Sequence, residues 1–81
     1  MKKITVYGRE ICPYCVRAVS FLKDNDYDYV YHDLPRGSDL ESEVFERSNG
    51  MRTVPQVFVG ERHIGGYTDL LKAHQDGSLQ E

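Results

Sequence analysis

The sequence predicts one α/β domain over residues 1–81, a mixed four-stranded sheet with three flanking helices in the order β-α-β-α-β-β-α. Three observations predict it. Apolar residues alternate with period two in some stretches and recur every three to four residues in others, so strands and helices are interleaved. An opening strand, helix and strand imply a right-handed parallel crossover, while two late strands around Gly60-Glu61 imply an antiparallel hairpin. Finally, 81 residues suffice for one modest core and no more.

The elements follow in order. Lys3 to Tyr7 is β-branched and aromatic and ends at Gly8, which makes it the first strand. From Pro13 the spacing changes, and Cys15, Ala18, Val19 and Leu22 fall on one face of a helix ending near Asn25. Proline suits the first helical position because its missing N–H would be unpaired there anyway, and this puts Cys12 at the N-cap. Tyr27 to Asp33 alternates as a second strand, with Tyr27, Tyr29 and Tyr31 on one face and expected in the core. After the break at Leu34-Pro35-Arg36-Gly37, Ser38-Asp39-Leu40-Glu41 reads as a capping box in which Ser38 and Glu41 satisfy each other's backbone N–H groups. The helix it opens is predicted to bury Leu40, Val44 and Phe45 and to stop near Asn49-Gly50. Val57-Phe58-Val59 and Arg62-His63-Ile64 flank the tight turn Gly60-Glu61, and Gly65-Gly66 ends the hairpin. A last helix from Thr68 to Gln75 turns Leu70 and Leu71 inward and runs out at Gly77, after which the chain is expected to fray.

Composition excludes several function classes. Ten basic residues against 13 acidic ones give a net charge of −3, without the basic cluster that phosphate neutralisation requires, so no nucleic acid is expected as a partner. No apolar run approaches the ~20 residues of a membrane-spanning helix, and Met-Lys-Lys leads into a strand rather than an apolar leader. The expectation is therefore a cytoplasmic protein that binds no membrane.

The two cysteines, Cys12 and Cys15, carry the most information. A bridge across two intervening residues removes little chain entropy, so its worth as a staple is small. At an N-cap, however, the Cys12 sulfur faces the unpaired N–H groups of Tyr14 and Cys15 and the positive end of the helix dipole. Both favour thiolate over thiol, so a lowered Cys12 pKa is expected. A lower pKa weakens the thiolate as a nucleophile while increasing its fraction, so the rate of attack changes little. The larger benefit is a better leaving group, which suits a sulfur that must be loaded and unloaded repeatedly. Cys15, one turn on, is placed to resolve a mixed disulfide on Cys12. A zinc site is the alternative chemistry, but zinc wants four ligands, and His32, His63 and His74 lack paired spacing; no metal site is expected.

These residues resemble a family. Cys12-Pro13-Tyr14-Cys15, Thr53-Val54-Pro55 and Gly65-Gly66-Tyr67-Thr68-Asp69 occur in the order and spacing of a dithiol glutaredoxin, and the resemblance covers nearly the whole chain. It implies a thioredoxin-like fold, no tightly bound cofactor, and glutathione as reducing co-substrate. It further implies that Pro55 follows a cis bond, which proline tolerates at little cost, leaving the Val54 N–H and C=O to pair with an extended ligand backbone as an added strand would. The N–H groups of Thr68 and Asp69 at a helix start would bind the γ-glutamyl carboxylate, with the Asp69 side chain accepting from the ammonium. Gly66 would permit close approach, and Tyr14 would pack beside the glutathione sulfur. For the glycyl carboxylate, Arg9 stands where the family commonly has lysine, with Arg52 before Thr53 the second candidate and Arg47 and Arg17 behind them. Thr68 replaces one of two acidic residues common in the family, and Ile11 replaces a small polar residue.

The mechanism implied is attack of Cys12 on a substrate disulfide and resolution by Cys15, with Cys12 alone sufficing for glutathionylated proteins. Expected partners are glutathione and disulfide-containing or glutathionylated proteins, ribonucleotide reductase among the candidates, acting on a monomer. Two other readings of the same residues are a redoxin reduced by thioredoxin reductase and an iron–sulfur cluster carrier. Members specialised as carriers usually have one cysteine followed by Gly-Phe-Ser, which this chain lacks.

Overall fold

The computed structural model describes residues 3–80. They form strands β1 (Ile4–Gly8), β2 (Tyr29–Asp33), β3 (Gln56–Val59) and β4 (Arg62–Gly65), and helices α1 (Pro13–Asp24), α2 (Asp39–Arg47) and α3 (Tyr67–Asp76). The strand order is β2-β1-β3-β4. β1 pairs parallel with β2, Val6 opposite Tyr31, and antiparallel with β3, Val6 opposite Val57. β4 closes the hairpin onto β3, with an irregularity between Val57 and Phe58.

Strand alternation divides the core into two layers. Ile4 and Val6 of β1 and Val57 and Val59 of β3 point to one face, where Ala18 and Leu22 of α1 and Leu70 and Ala73 of α3 cover them. Phe58 points to the other, against Leu34 and Val44, with Tyr7, Phe45 and Val54 around it. All four residues of β3 are buried because that strand is paired on both sides and covered on both faces. Val19 of α1 and Leu71 of α3, expected to face inward, are only half-buried and stand outside both layers. Across the first layer the Tyr27 hydroxyl meets His74 Nδ1 at 2.7 Å, tying the segment that leads into β2 to α3.

Several expectations are corrected. β2 begins at Tyr29 rather than Tyr27, because Tyr27 N–H is used at the end of α1, donating to the Leu22 carbonyl at 2.9 Å. Tyr27 and Tyr29 do pack on the core, but Tyr31 is half-exposed: β2 is an edge strand, and Tyr31 borders an open groove beside Cys15, Val16 and Val19 of α1. Leu40 is also 36% exposed, since only Val44 of α2 reaches the sheet fully. The capping box is half formed. Ser38 Oγ accepts from Glu41 N–H at 3.1 Å, but Glu41 reaches back to Gly37 N–H at 3.0 Å, because Ser38 N–H is already taken by the Pro35 carbonyl. Of the last few residues, expected to fray, Ser78–Gln80 instead form a 3-10 turn after the left-handed Gly77 that puts Leu79 into the core at 2% exposure, and Glu81 lies outside the described residues. Among the described residues, no helix is long and apolar enough to cross a membrane.

Candidate functional site

The site grows from the loop between β1 and α1. Cys12 takes extended backbone angles and caps α1, its Sγ accepting from Cys15 N–H at 3.2 Å, with Pro13 at the first helical position. The two cysteines form a disulfide with their α-carbons 5.2 Å apart. Cys15 is buried against the sheet and Cys12 is half-buried, so the N-cap sulfur is the more open of the two. Gly8 makes room for Cys15: a β-carbon there would lie 2.8 Å from Cys15 Sγ and 3.1 Å from Tyr31 Cε1. Ile11, just before the pair, is 97% exposed, and Tyr14 and Val16 are also exposed, so the rim around the sulfurs is apolar.

A second loop closes on the first. The Val54-Pro55 peptide is cis, and the Val54 carbonyl oxygen lies 3.8 Å from Cys12 Sγ. Beside it α3 begins at a glycine. Gly66 has no side chain to cap the helix, so the N–H groups of the first turn have no side-chain acceptor. Asp69 instead reaches back, its carboxylate accepting from Gly66 N–H at 3.0 Å. Gly65 is required here on two counts: its φ is +126°, and a β-carbon would sit 2.8 Å from Asp69 Cβ.

Between these parts lies an open cleft of about 260 Å³ lined by Tyr14, Thr53, Val54, Pro55, Gly66, Thr68 and Asp69, together with Met51 and Tyr67. The first turns of two helices, α1 through Tyr14 and α3 through Gly66 to Asp69, therefore border one cavity. Their partial positive charges and open N–H groups favour an anion there, while Asp69 supplies a negative charge for a cation. Tyr14 and Tyr67 meet across it with ring centroids 5.8 Å apart, and Arg17 lies over the Tyr14 ring.

Seven of the residues singled out by sequence thus line one cleft, with Cys12 beside its Val54 wall. The two arginines do not line it. Arg9 is held in an ion pair by Glu41 of α2, both side chains mostly buried. Arg52 is exposed, has no ion-pair partner among the described residues, and stands between two lining residues, Met51 and Thr53. Met51 entered no motif and faces the cleft only because the turn after α2 brings it there, whereas Tyr67 sat inside a motif without a role of its own. Sequence reasoning also missed Gln56 and His63. Gln56 is completely buried beneath the loop, and His63 Nε2 meets its Oε1 at 2.6 Å. Burial holds the His63 imidazole below its ordinary pKa, against a smaller upward pull from the Asp69 carboxylate.

Comparison with known proteins agrees with this geometry. The glutaredoxin family model matches residues 4–64. The glutaredoxin of Neisseria meningitidis is 34% identical over 79 residues, covering 98% of this chain and 93% of that protein. Glutaredoxin 1 of Escherichia coli is 41% identical over 72 residues, covering 80% and 84%. Among solved structures, a buckwheat glutaredoxin–glutathione complex superimposes with a TM-score of 0.81 at 31% identity, over 95% of this chain and 72% of that one. Glutaredoxin 1 of Francisella tularensis, complexed with cacodylate, matches at TM-score 0.78 and 31% identity over the full length of both chains.

Proposed function

We propose, from the premise that this chain belongs to the glutaredoxin family and is a thiol–disulfide oxidoreductase of thioredoxin-like fold, that its reductant is glutathione and its substrates are protein disulfides and protein–glutathione mixed disulfides. The observation that carries this reading is the cleft beside Cys12. It offers an unpaired helix start for a carboxylate, Asp69 for an ammonium and the Val54 backbone for an extended chain, and the buckwheat relative was solved as a glutathione complex.

Residue by residue, Thr68 and Asp69 N–H groups receive the γ-glutamyl carboxylate and the Asp69 side chain receives the ammonium. The Val54 N–H and C=O pair with the peptide backbone, Thr53, Pro55 and Gly66 shape the walls, and Tyr14 packs beside the sulfur. Arg52, exposed and unengaged, is the better cation for the glycyl carboxylate, because Arg9 is already neutralised by Glu41. In the dithiol route, Cys12 thiolate attacks a substrate disulfide, forming a mixed disulfide and releasing one substrate thiolate. Cys15 thiolate then attacks the Cys12 sulfur, freeing the second substrate thiolate and leaving the Cys12–Cys15 disulfide. Two glutathione molecules reduce it and leave as glutathione disulfide. For a glutathionylated substrate Cys12 takes up the glutathionyl group and a second glutathione releases it. The N-cap position supports both roles of Cys12, since N–H groups that stabilise the thiolate make it a good leaving group in every release step.

The experiment is turnover of a small glutathione mixed disulfide with glutathione, glutathione reductase and NADPH, beside a parallel reaction supplied with thioredoxin reductase alone. Glutathione-dependent turnover is expected; turnover only with thioredoxin reductase would overturn the glutathione reading and keep the family. Cys12→Ser is expected to abolish both routes, and Cys15→Ser to lose disulfide reduction while retaining deglutathionylation.

A further inference from the structure

The backbone from Arg52 to Pro55 belongs to no helix or strand, yet its Val54 carbonyl must hold a fixed place beside Cys12. Gln56, the first residue of β3, reaches back under it. Gln56 Nε2 donates to the Thr53 carbonyl oxygen at 2.8 Å and lies 3.4 Å from Thr53 Oγ1. A carbonyl can only accept, which fixes the orientation of the Gln56 amide: its Oε1 faces His63 Nε2 at 2.6 Å. An amide oxygen is likewise only an acceptor, so His63 carries its proton on Nε2. Its Nδ1 then offers a lone pair, to which Asn49 Nδ2 donates at 3.1 Å. Donors and acceptors match throughout the series Asn49, His63, Gln56, Thr53 when the imidazole is neutral.

The surroundings keep it so. The ring packs against Phe58 at a centroid distance of 5.1 Å. The charged groups around it are Asp69 on α3, whose pull is outweighed by burial, and Arg47 on α2, whose guanidinium lies over the Phe58 ring. Gln56 is wholly buried, so an unpartnered Oε1 there would carry a full desolvation penalty, and the amide is held to this one arrangement.

We propose that His63 is a positioning residue for the reaction, acting through Gln56 to hold the Thr53–Val54 backbone in register with the substrate beside Cys12. The assignment rests on the reading that the Val54 backbone pairs with the glutathione moiety, and it adds a strut, running from β4 through β3 to the loop, that no residue of the cleft provides.

Steady-state turnover of a small glutathione mixed disulfide tests it in three variants. His63→Phe keeps the ring contact and removes the donor, leaving Gln56 Oε1 orphaned, so a lower melting temperature is expected. KM is expected to rise about fivefold in His63→Phe, the worth of one neutral hydrogen bond, with kcat unchanged. The double change His63→Phe with Gln56→Met avoids the orphaned Oε1, though it also takes the donor from the Thr53 carbonyl, and is expected to melt closer to wild type with KM still raised. His63→Gln retains a donor and should restore KM. In the ligand-free protein, the Thr53 carbonyl carbon-13 shift should move in His63→Phe, where Gln56 keeps its Nε2 donor but loses its anchor, and not in His63→Gln. An unmoved shift, or an unchanged KM in folded His63→Phe, overturns the proposal. Wild-type protein that turns over with thioredoxin reductase but not with glutathione would sink the glutathione reading instead, and the same KM comparison with a disulfide peptide then decides the role of His63.

Discussion

Adding one methyl group at Gly8 tests how closely the Cys15 sulfur is packed. The φ of Gly8 is not in the left-handed region, so Gly8→Ala strains no backbone, and its effect comes from the space the methyl enters. The new carbon would lie 2.8 Å from Cys15 Sγ, 3.1 Å from Cys15 Cβ and 3.1 Å from Tyr31 Cε1. The closest approach is roughly 0.7 Å inside the ~3.5 Å at which non-bonded carbons make ordinary contact. Tyr31 stands at an exposed sheet edge and can yield. Cys15 cannot retreat easily, being 2% exposed and one turn from Ala18, which is fully buried. Forcing a methyl into such a site costs about 1–3 kcal/mol. For a domain of this size each kilocalorie lowers the melting temperature by roughly 4–8 °C, so a fall of about 5–20 °C is expected. The functional effect should be selective. Moving Cys15 disturbs resolution but not attack by Cys12, so reduction of a disulfide peptide should slow while turnover of a glutathionylated small thiol is largely retained. The assay is a calorimetric melt of reduced protein followed by both turnover measurements. An unchanged melt with both activities intact would refute the packing argument.

Three further outcomes follow from other contacts. Glu41→Gln releases Arg9 from its ion pair and should cost about 1–3 kcal/mol, since both side chains are mostly buried and the Arg9 charge loses its partner. Freed Arg9 should lower KM for a glutathionylated substrate, whereas an unchanged KM together with a raised KM in Arg52→Ala would give the carboxylate to Arg52 alone. Leu79→Ala should destabilise by about 2–5 kcal/mol, because the 3-10 turn places this leucine in the main core; an unchanged urea midpoint would contradict that placement. His63 makes stability pH-dependent. Its native pKa lies below the ordinary 6.5, chiefly through burial, so the unfolded chain takes up the proton first as pH falls. The contribution is therefore complete above 6.5 and is lost from there down to the native value, a slope that urea unfolding should show in the wild type and not in His63→Gln.

Much of this molecule was legible locally. The N-cap position of Cys12 followed from Pro13 at the first position of a helix pattern, the hairpin from Gly60-Glu61, and the division between strand and helix from hydrophobic period; these depend on residues within a few positions of each other. The three motifs also converged on one cleft, because each marks a helix start or a bend whose geometry is short-range. Local pattern misled where burial depends on distant cover. Leu40 has the spacing of a core residue but is 36% exposed, and Tyr31 alternates correctly on an edge strand yet borders an open groove beside α1. Leu79 looked like a frayed end and is core because Gly77 turns the chain back onto α3.

Partner choice lay beyond the sequence for the same reason. The capping pattern assigned Glu41 to Ser38, yet a rival acceptor for Ser38 and an arginine 32 positions away drew its two oxygens to Gly37 and Arg9. His63 and Gln56 are seven residues apart on neighbouring strands, and only the antiparallel register brings their polar atoms together beneath Thr53. The sequence by itself determined which sulfur caps the helix, which helix starts surround it and the class of chemistry they favour, since a cap and a dipole act within one turn. The tertiary structure decided which cation is free, how much room Cys15 has and what supports the loop, since these are set by side chains that meet only when the sheet has formed.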